Sequence, residues 1–145
     1  MVRLTPHFTL AEATKTSQPY DNTPAKEHYP TIIHTASKME MVRELLGNRP
    51  ITINSWYRNP VVNRAVGGVP NSQHALGEAV DFVCPGFGSP FEICMYLSAR
   101  AVYLAFDQLI LEPTWVHISF SVTRARKQTL TLAPGGRYLS GIRKL

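Results

Sequence analysis

Apolar residues recur at helical intervals over one stretch above all. Between Thr31 and Leu46, Ile32, Ala36, Met39, Val42 and Leu46 return every three or four positions, while Lys38, Arg43 and Glu44 fall largely elsewhere. That spacing predicts an amphipathic helix, stopped by Gly47. After Pro50 the period shortens to two. Ile51-Thr52-Ile53-Asn54-Ser55-Trp56-Tyr57 reads as a strand that delivers Arg58 to its end. A second strand, Glu78 to Val83, places Ala79, Asp81 and Val83 on one face and Val80 and Phe82 on the other. Ser89-Pro90-Phe91-Glu92 has a capping-box pattern with proline at the first helical position. It predicts a second helix reaching about Tyr103, with Phe91, Cys94, Met95, Leu97 and Val102 turned inward. Phe106 to Leu111 and Trp115 to Phe120 predict a hairpin joined through Glu112-Pro113-Thr114, and a last strand covers roughly Lys127 to Leu132.

Around these elements, residues 1–30 read as an arm that wraps the domain, with one short helical piece capped by Thr9. Residues 133–145 read as a basic, solvated tail. The whole, residues 1–145, is expected to be one α+β domain with a small antiparallel sheet flanked by helices.

With 44% hydrophobic and 17% charged residues, the chain can bury a core and is not of disordered type. A net charge of +5 favours an anionic partner: nucleic acid, a membrane surface or an acidic cell-wall polymer. No nucleic-acid motif or interleaved aromatic and basic stripe accompanies it, so specific nucleic-acid binding is not expected. No apolar run near the start reads as a secretory signal, and none reads as a membrane span. Cys84 and Cys94 are either packed small hydrophobes or a bridged pair, with free thiols favoured.

The chemistry concentrates in Ser72-Gln73-His74-Ala75-Leu76-Gly77-Glu78-Ala79-Val80-Asp81. An aspartate between apolar residues in a short strand is costly to bury without a cation or several donors. His74 and Asp81 read as half of a zinc site, and His117 in Trp115-Val116-His117 supplies the third ligand. Either motif alone is also satisfied by a hydrogen-bonded histidine or a capped aspartate. His7, His28 and His34 show no ligand spacing. Two imidazoles and one carboxylate leave tetrahedral zinc a fourth position, the arrangement of a catalytic site. Water there would have a pKa near 7 and could attack an amide. Glu112 is the best base on offer and Arg58 the best positive group.

The set Ser72-x-His74-x-x-Gly77-x-Ala79-x-Asp81 followed by Trp115-x-His117 resembles the zinc D-alanyl-D-alanine carboxypeptidases and peptidoglycan endopeptidases, which share a fold with the hedgehog signalling domain. Phe8-Thr9-Leu10, Ser55-Trp56-Tyr57-Arg58-Asn59-Pro60, Ala65-Val66-Gly67-Gly68-Val69-Pro70 and Phe106-Asp107-Gln108-Leu109-Ile110-Leu111-Glu112 extend the resemblance to the compact branch common in phage lysis enzymes. It covers about residues 4–132. The resemblance implies one zinc per chain on His74, Asp81 and His117. Arg58 would assist substrate or transition-state charge, and Ser72 would support the first ligand or bind substrate. Related enzymes often place an acid three positions before the last histidine, where this chain has Thr114. Glu112, which closes the run from Phe106 with a short spacer to His117, is taken as the general base, a role that Asp107 or another carboxylate could share.

The implied activity is cleavage of a peptidoglycan stem-peptide bond, first of all L-alanyl-D-glutamate, with D-alanyl-D-alanine carboxypeptidase or D-alanyl cross-link cleavage as runner-up. A non-catalytic zinc module that binds the cell wall is the alternative of another class. The expected setting is a monomer made in the cytoplasm and released to act in the periplasm or cell wall.

Overall fold

The computed structural model describes residues 1–145. In chain order it contains β1 (Arg3–Thr5), β2 (Phe8–Thr9), α1 (Leu10–Ala13), α2 (Tyr29–Leu45), β3 (Thr52–Ser55) and α3 (Pro60–Ala65). After a 3-10 turn at Gln73–Leu76 follow β4 (Ala79–Val83), α4 (Pro90–Ser98), α5 (Ala101–Leu104), β5 (Gln108–Leu111), β6 (Val116–Ser119), β7 (Gln128–Ala133) and β8 (Arg137–Ser140). The architecture is α+β, as the sequence predicts. Six strands form one sheet in the order β3-β4-β6-β5-β7-β8, antiparallel except where β7 runs parallel to β5.

Period-two alternation divides the sheet into a dry face and a wet one. Val80 and Phe82 of β4, Val116 and Ile118 of β6, and Leu109 of β5 enter a single hydrophobic cluster. The same cluster takes Ile32, Ala36, Met39 and Val42 from α2, together with Leu46, all fully buried. The helices thus cover one face. On the other face a row crosses the sheet, pairing Ser55 with Asp81, Asp81 with His117, His117 with Ile110, and Ile110 with Leu130.

The predicted helix over residues 90–103 is two helices. α4 ends at Ser98 with Ala99 as its cap, and Arg100 leaves helical geometry before α5 begins. The inward stripe keeps its phase across the break, running through Ile93, Leu97, Ala101 and Leu104. Ile93, Cys94, Leu97 and Leu104 are buried, whereas Met95 is 47% and Val102 86% exposed, contrary to the single-helix expectation. Both cysteines are free and buried, and burial pushes the Cys94 thiol up to about 12, so they act as packing groups.

Within the basic tail, residues 137–140 form β8, and Arg143 is tied to β7 by its backbone N–H on Thr131 Oγ1 at 2.9 Å and to the end of β8 by its Nε on Ser140 O at 2.8 Å. In the amino-terminal arm, Thr9 and Glu12 form a capping box on α1. Buried Asn22 donates to the carbonyls of Thr14 and Tyr57, and its side-chain oxygen accepts from the Asn59 N–H. The arm therefore clamps the end of β3, where Arg58 emerges.

Gly77 sets the entry to β4. Its φ of +80° belongs to the left-handed region, and a Cβ there would lie 2.6 Å from Ile32 Cγ1. Its carbonyl accepts from Thr35 Oγ1 at 2.8 Å and Trp56 Nε1 at 3.1 Å. Gly77→Ala is expected to cost at least about 2 kcal/mol in urea unfolding, from backbone strain and overlap with α2. A loss below about 0.5 kcal/mol, the level of a neutral surface change, would refute this account.

Candidate metal centre

Asp81 and His117 face each other across β4 and β6, and the 3-10 turn after Ser72 brings His74 over them. His117 Nδ1 lies 2.8 Å from Asp81 Oδ1, and His74 Nε2 lies 3.2 Å from Asp81 Oδ2. One ligand atom from each of the three residues falls within 4.8 Å of the others. The imidazole planes of His74 and His117 meet nearly edge to face at 5.2 Å. The three residues singled out from the sequence are thus brought together.

The backbone fixes the state of His74. Its Nδ1 is 2.7 Å from the Trp56 carbonyl, which can only accept, so Nδ1 carries the proton and Nε2 is turned to Asp81. Burial lowers the His74 pKa, partly offset by Asp81, so the ring is neutral near pH 7. Burial by itself would raise the Asp81 pKa. The hydrogen bond from His117 Nδ1 opposes that and keeps the carboxylate ionised well below the usual range. A neutral Nε2 lone pair then faces an ionised oxygen at 3.2 Å. Two acceptors at that distance repel unless a cation lies between them, so the donor set fits a divalent metal.

The trio opens on a cleft of about 600 Å³ that also holds Arg58, Ser72, Glu112, Trp115 and Tyr138. A neighbouring hollow of about 690 Å³ shares Glu112 but contains neither imidazole, so chemistry singles out the first. Arg58 is held by its backbone N–H on the His74 carbonyl at 3.0 Å. Its Nε and the indole Nε1 of Trp115 are buried donors with no partner in the protein. Ser72 Oγ accepts the His74 N–H at 3.1 Å and so props the ligand turn.

Glu112 is 9% exposed, and burial raises its pKa against the opposing effects of His117 and Tyr138. Asp107, the alternative acid, is placed differently. It is fully buried and gripped by Arg126 through Nε to Oδ1 and Nη2 to Oδ2, both at 2.8 Å. Gln73 Nε2 donates to it at 2.9 Å and Arg124 Nε lies 3.3 Å away. These partners, Arg126 first, hold its pKa at about 2, so it is a fixed anion rather than a base. Of the other histidines, His7 is bonded to Glu40 and His28 packs on Tyr57.

The sequence reading missed Tyr138, Arg124 and Arg126 as cleft residues. Tyr138 lies in a stretch dominated by glycine and basic residues. The arginines are separated from the ligand motifs by a loop without periodicity. An alternating Arg124-Ala125-Arg126 just before a strand was the one available signal.

The sequence model of the family described as Peptidase M15 matches residues 6–119. A zinc D-Ala-D-Ala carboxypeptidase from Streptomyces albus G is 36% identical over 66 residues, which is 46% of this chain and 25% of that protein. The chain thus spans about a quarter of the length of that curated relative.

Two outcomes are expected here. Zinc at about 100 times its Kd should stabilise the chain by about 2.7 kcal/mol, raising the unfolding temperature by several degrees. The rise should vanish in His74→Ala and Asp81→Ala, and its absence in the wild type would remove metal from the site. Asp107 has a folded pKa below its unfolded one, so its stabilisation is complete above the unfolded pKa and disappears as pH falls through about 2. Asp107→Asn should cost about 2 kcal/mol near neutrality. That gap should narrow in urea melts as pH drops from about 5 toward 2; a gap constant with pH would contradict the ionic role.

Proposed function

We propose, from the premise that this chain belongs to the peptidase M15 family, that it is a zinc metallopeptidase cleaving an amide bond in the peptidoglycan stem peptide. The observation that carries this reading is the His74, Asp81 and His117 group opening on the cleft that holds Glu112 and Arg58. His74, Asp81 and His117 would hold one zinc ion per chain. When bound, zinc supplies Lewis acidity that acidifies water and polarises a carbonyl.

The chain's own groups do the rest. Glu112 accepts the proton of the attacking water and returns it to the departing amine, a task suited to a carboxylate made more basic by burial. Arg58 and Trp115 line the cleft and each keeps a buried N–H without a partner, so Arg58 would supply positive charge where charge develops on the carbonyl oxygen. Ser72 keeps the His74 turn in place and borders the substrate.

The first choice of bond is L-alanyl-D-glutamate, on the resemblance of the motifs to phage lysis enzymes. The name of the Streptomyces relative favours a second reading, removal of a terminal D-alanine or cleavage of a D-alanyl cross-link. Net positive charge suits adsorption to an anionic envelope in the periplasm or cell wall, and the chain would act as a monomer. No helix is long and apolar enough to cross a membrane.

The test is mass spectrometry of products from purified peptidoglycan and defined muropeptides treated with the zinc-loaded chain. Fragments beginning with D-glutamate are expected; loss of single D-alanine residues or of D-alanyl cross-links would favour the second reading. No soluble product would sink the hydrolase proposal and leave a binding module. In the same assay Glu112→Gln should keep zinc and lower kcat by about 10² to 10⁴. Undiminished kcat would move the base elsewhere.

A further inference from the structure

The crossover between β6 and β7 passes round the start of β5, because β7 lies on the opposite side of β5 from β6 and runs parallel to β5. That loop is sewn to the end of β5. The backbone N–H of Arg126 reaches Asp107 Oδ1, that of Lys127 the Phe106 carbonyl, and that of Gln128 the Asp107 carbonyl. The route carries Arg124 and Arg126 to the wall of the cleft that contains the two imidazoles.

We infer that Arg124 and Arg126, braced by buried Asp107, form a recognition site for a free carboxylate of the peptide lying in the cleft. This rests on the reading that the cleft takes a peptidoglycan stem peptide. One anion faces two guanidiniums, so the cluster keeps a net positive charge. Arg124 commits only Nε to Asp107, leaving both terminal nitrogens available, and Arg126 leaves Nη1. The side chains stay 55% and 41% exposed although their anchor is completely buried. A pair of cations held in position and still open to solvent is suited to a bidentate carboxylate.

Strand geometry orients the cleft. On β5 the wet face presents Gln108, then Ile110 level with the Asp81 and His117 row; Glu112 follows just beyond the strand. Each two-residue step is roughly 7 Å. Glu112 therefore lies on one side of the row and the arginines, beyond Gln108, on the other. A peptide spanning the row meets the acid at one end and the cations at the other. In the stem peptide the D-glutamate is γ-linked and keeps its α-carboxylate free, next to the first-choice bond. Both arginines fall outside residues 6–119, the stretch matched by the family model, so the site belongs to this chain's own carboxy-terminal third.

The probe is γ-D-glutamyl-L-lysine and its α-carboxamide counterpart, neither of which contains the scissile bond. NMR titrations of the zinc-loaded chain should give about tenfold tighter binding for the acid than for the amide. The preference should fall to about twofold or less in Arg124→Gln, which loses one contact of an exposed side chain. In Arg126→Lys, which keeps the charge on Asp107 but not the fork, it should be intermediate. Equal binding of acid and amide by the wild type, no binding of either, or a preference that survives Arg124→Gln would overturn the inference. Acid preference without products in the muropeptide digest would support the carboxylate site while refuting the hydrolase reading. Products without acid preference would do the reverse.

Discussion

An ionised aspartate held between two imidazoles is the constraint on which the molecule turns. Asp81 sits in a strand whose neighbours on the other face go into the core, so its carboxylate gives up most of its water. Only partners can repay that desolvation, and the protein offers two nitrogens at 2.8 Å and 3.2 Å. One of them is committed by a backbone carbonyl to face the carboxylate as a lone pair. The arrangement is poor as a hydrogen-bonded trio and good as a ligand set. Stability has been conceded locally where metal chemistry needs it.

The surrounding scaffold fixes those three side chains from independent directions. Register between β4 and β6 fixes Asp81 against His117. Trp56 fixes His74 by its carbonyl and, through its indole N–H on Gly77, the far end of the same turn. The arm reaches this point too, since Asn22 clamps Tyr57 and Asn59 on either side of Arg58. Three segments far apart in the chain thus converge on one short strand end. Positioning from several directions leaves the three ligand side chains little freedom to move apart.

Charge along the cleft is asymmetric. Glu112, made more basic by burial, lies past the hairpin end of β5, and the arginines lie past its beginning. Asp107 is what makes the cationic end possible. Its carboxylate is too strongly bonded to take protons near neutrality, and it serves as an anchor for the loop that carries Arg124 and Arg126. Gln73 donates to both Asp107 and Glu78, linking that anchor to the turn carrying His74.

Much of this was legible in the order of residues. The inward stripe of α2 follows directly from its period, because a continuous helix keeps one phase over its whole length. The faces of β4 and β6 follow likewise, and so does the oddity of an aspartate at position 81. Apolar character alone does not say which helical face is inward, which is why Met95 and Val102 were expected inside and lie outside, off the stripe through Ile93, Leu97 and Leu104. Local periodicity also holds nothing about which strands will be neighbours. The parallel union of β5 with β7, the folding of residues 137–140 into β8, and the arrival of Arg124, Arg126 and Tyr138 at the cleft are set by long-range pairing and crossover direction. The sequence by itself determined the ligand types and the faces that carry them, because those depend on neighbours a few residues away. Tertiary structure alone decided which charges would share the cleft with them, because that depends on contacts between segments whose separation leaves no repeating trace.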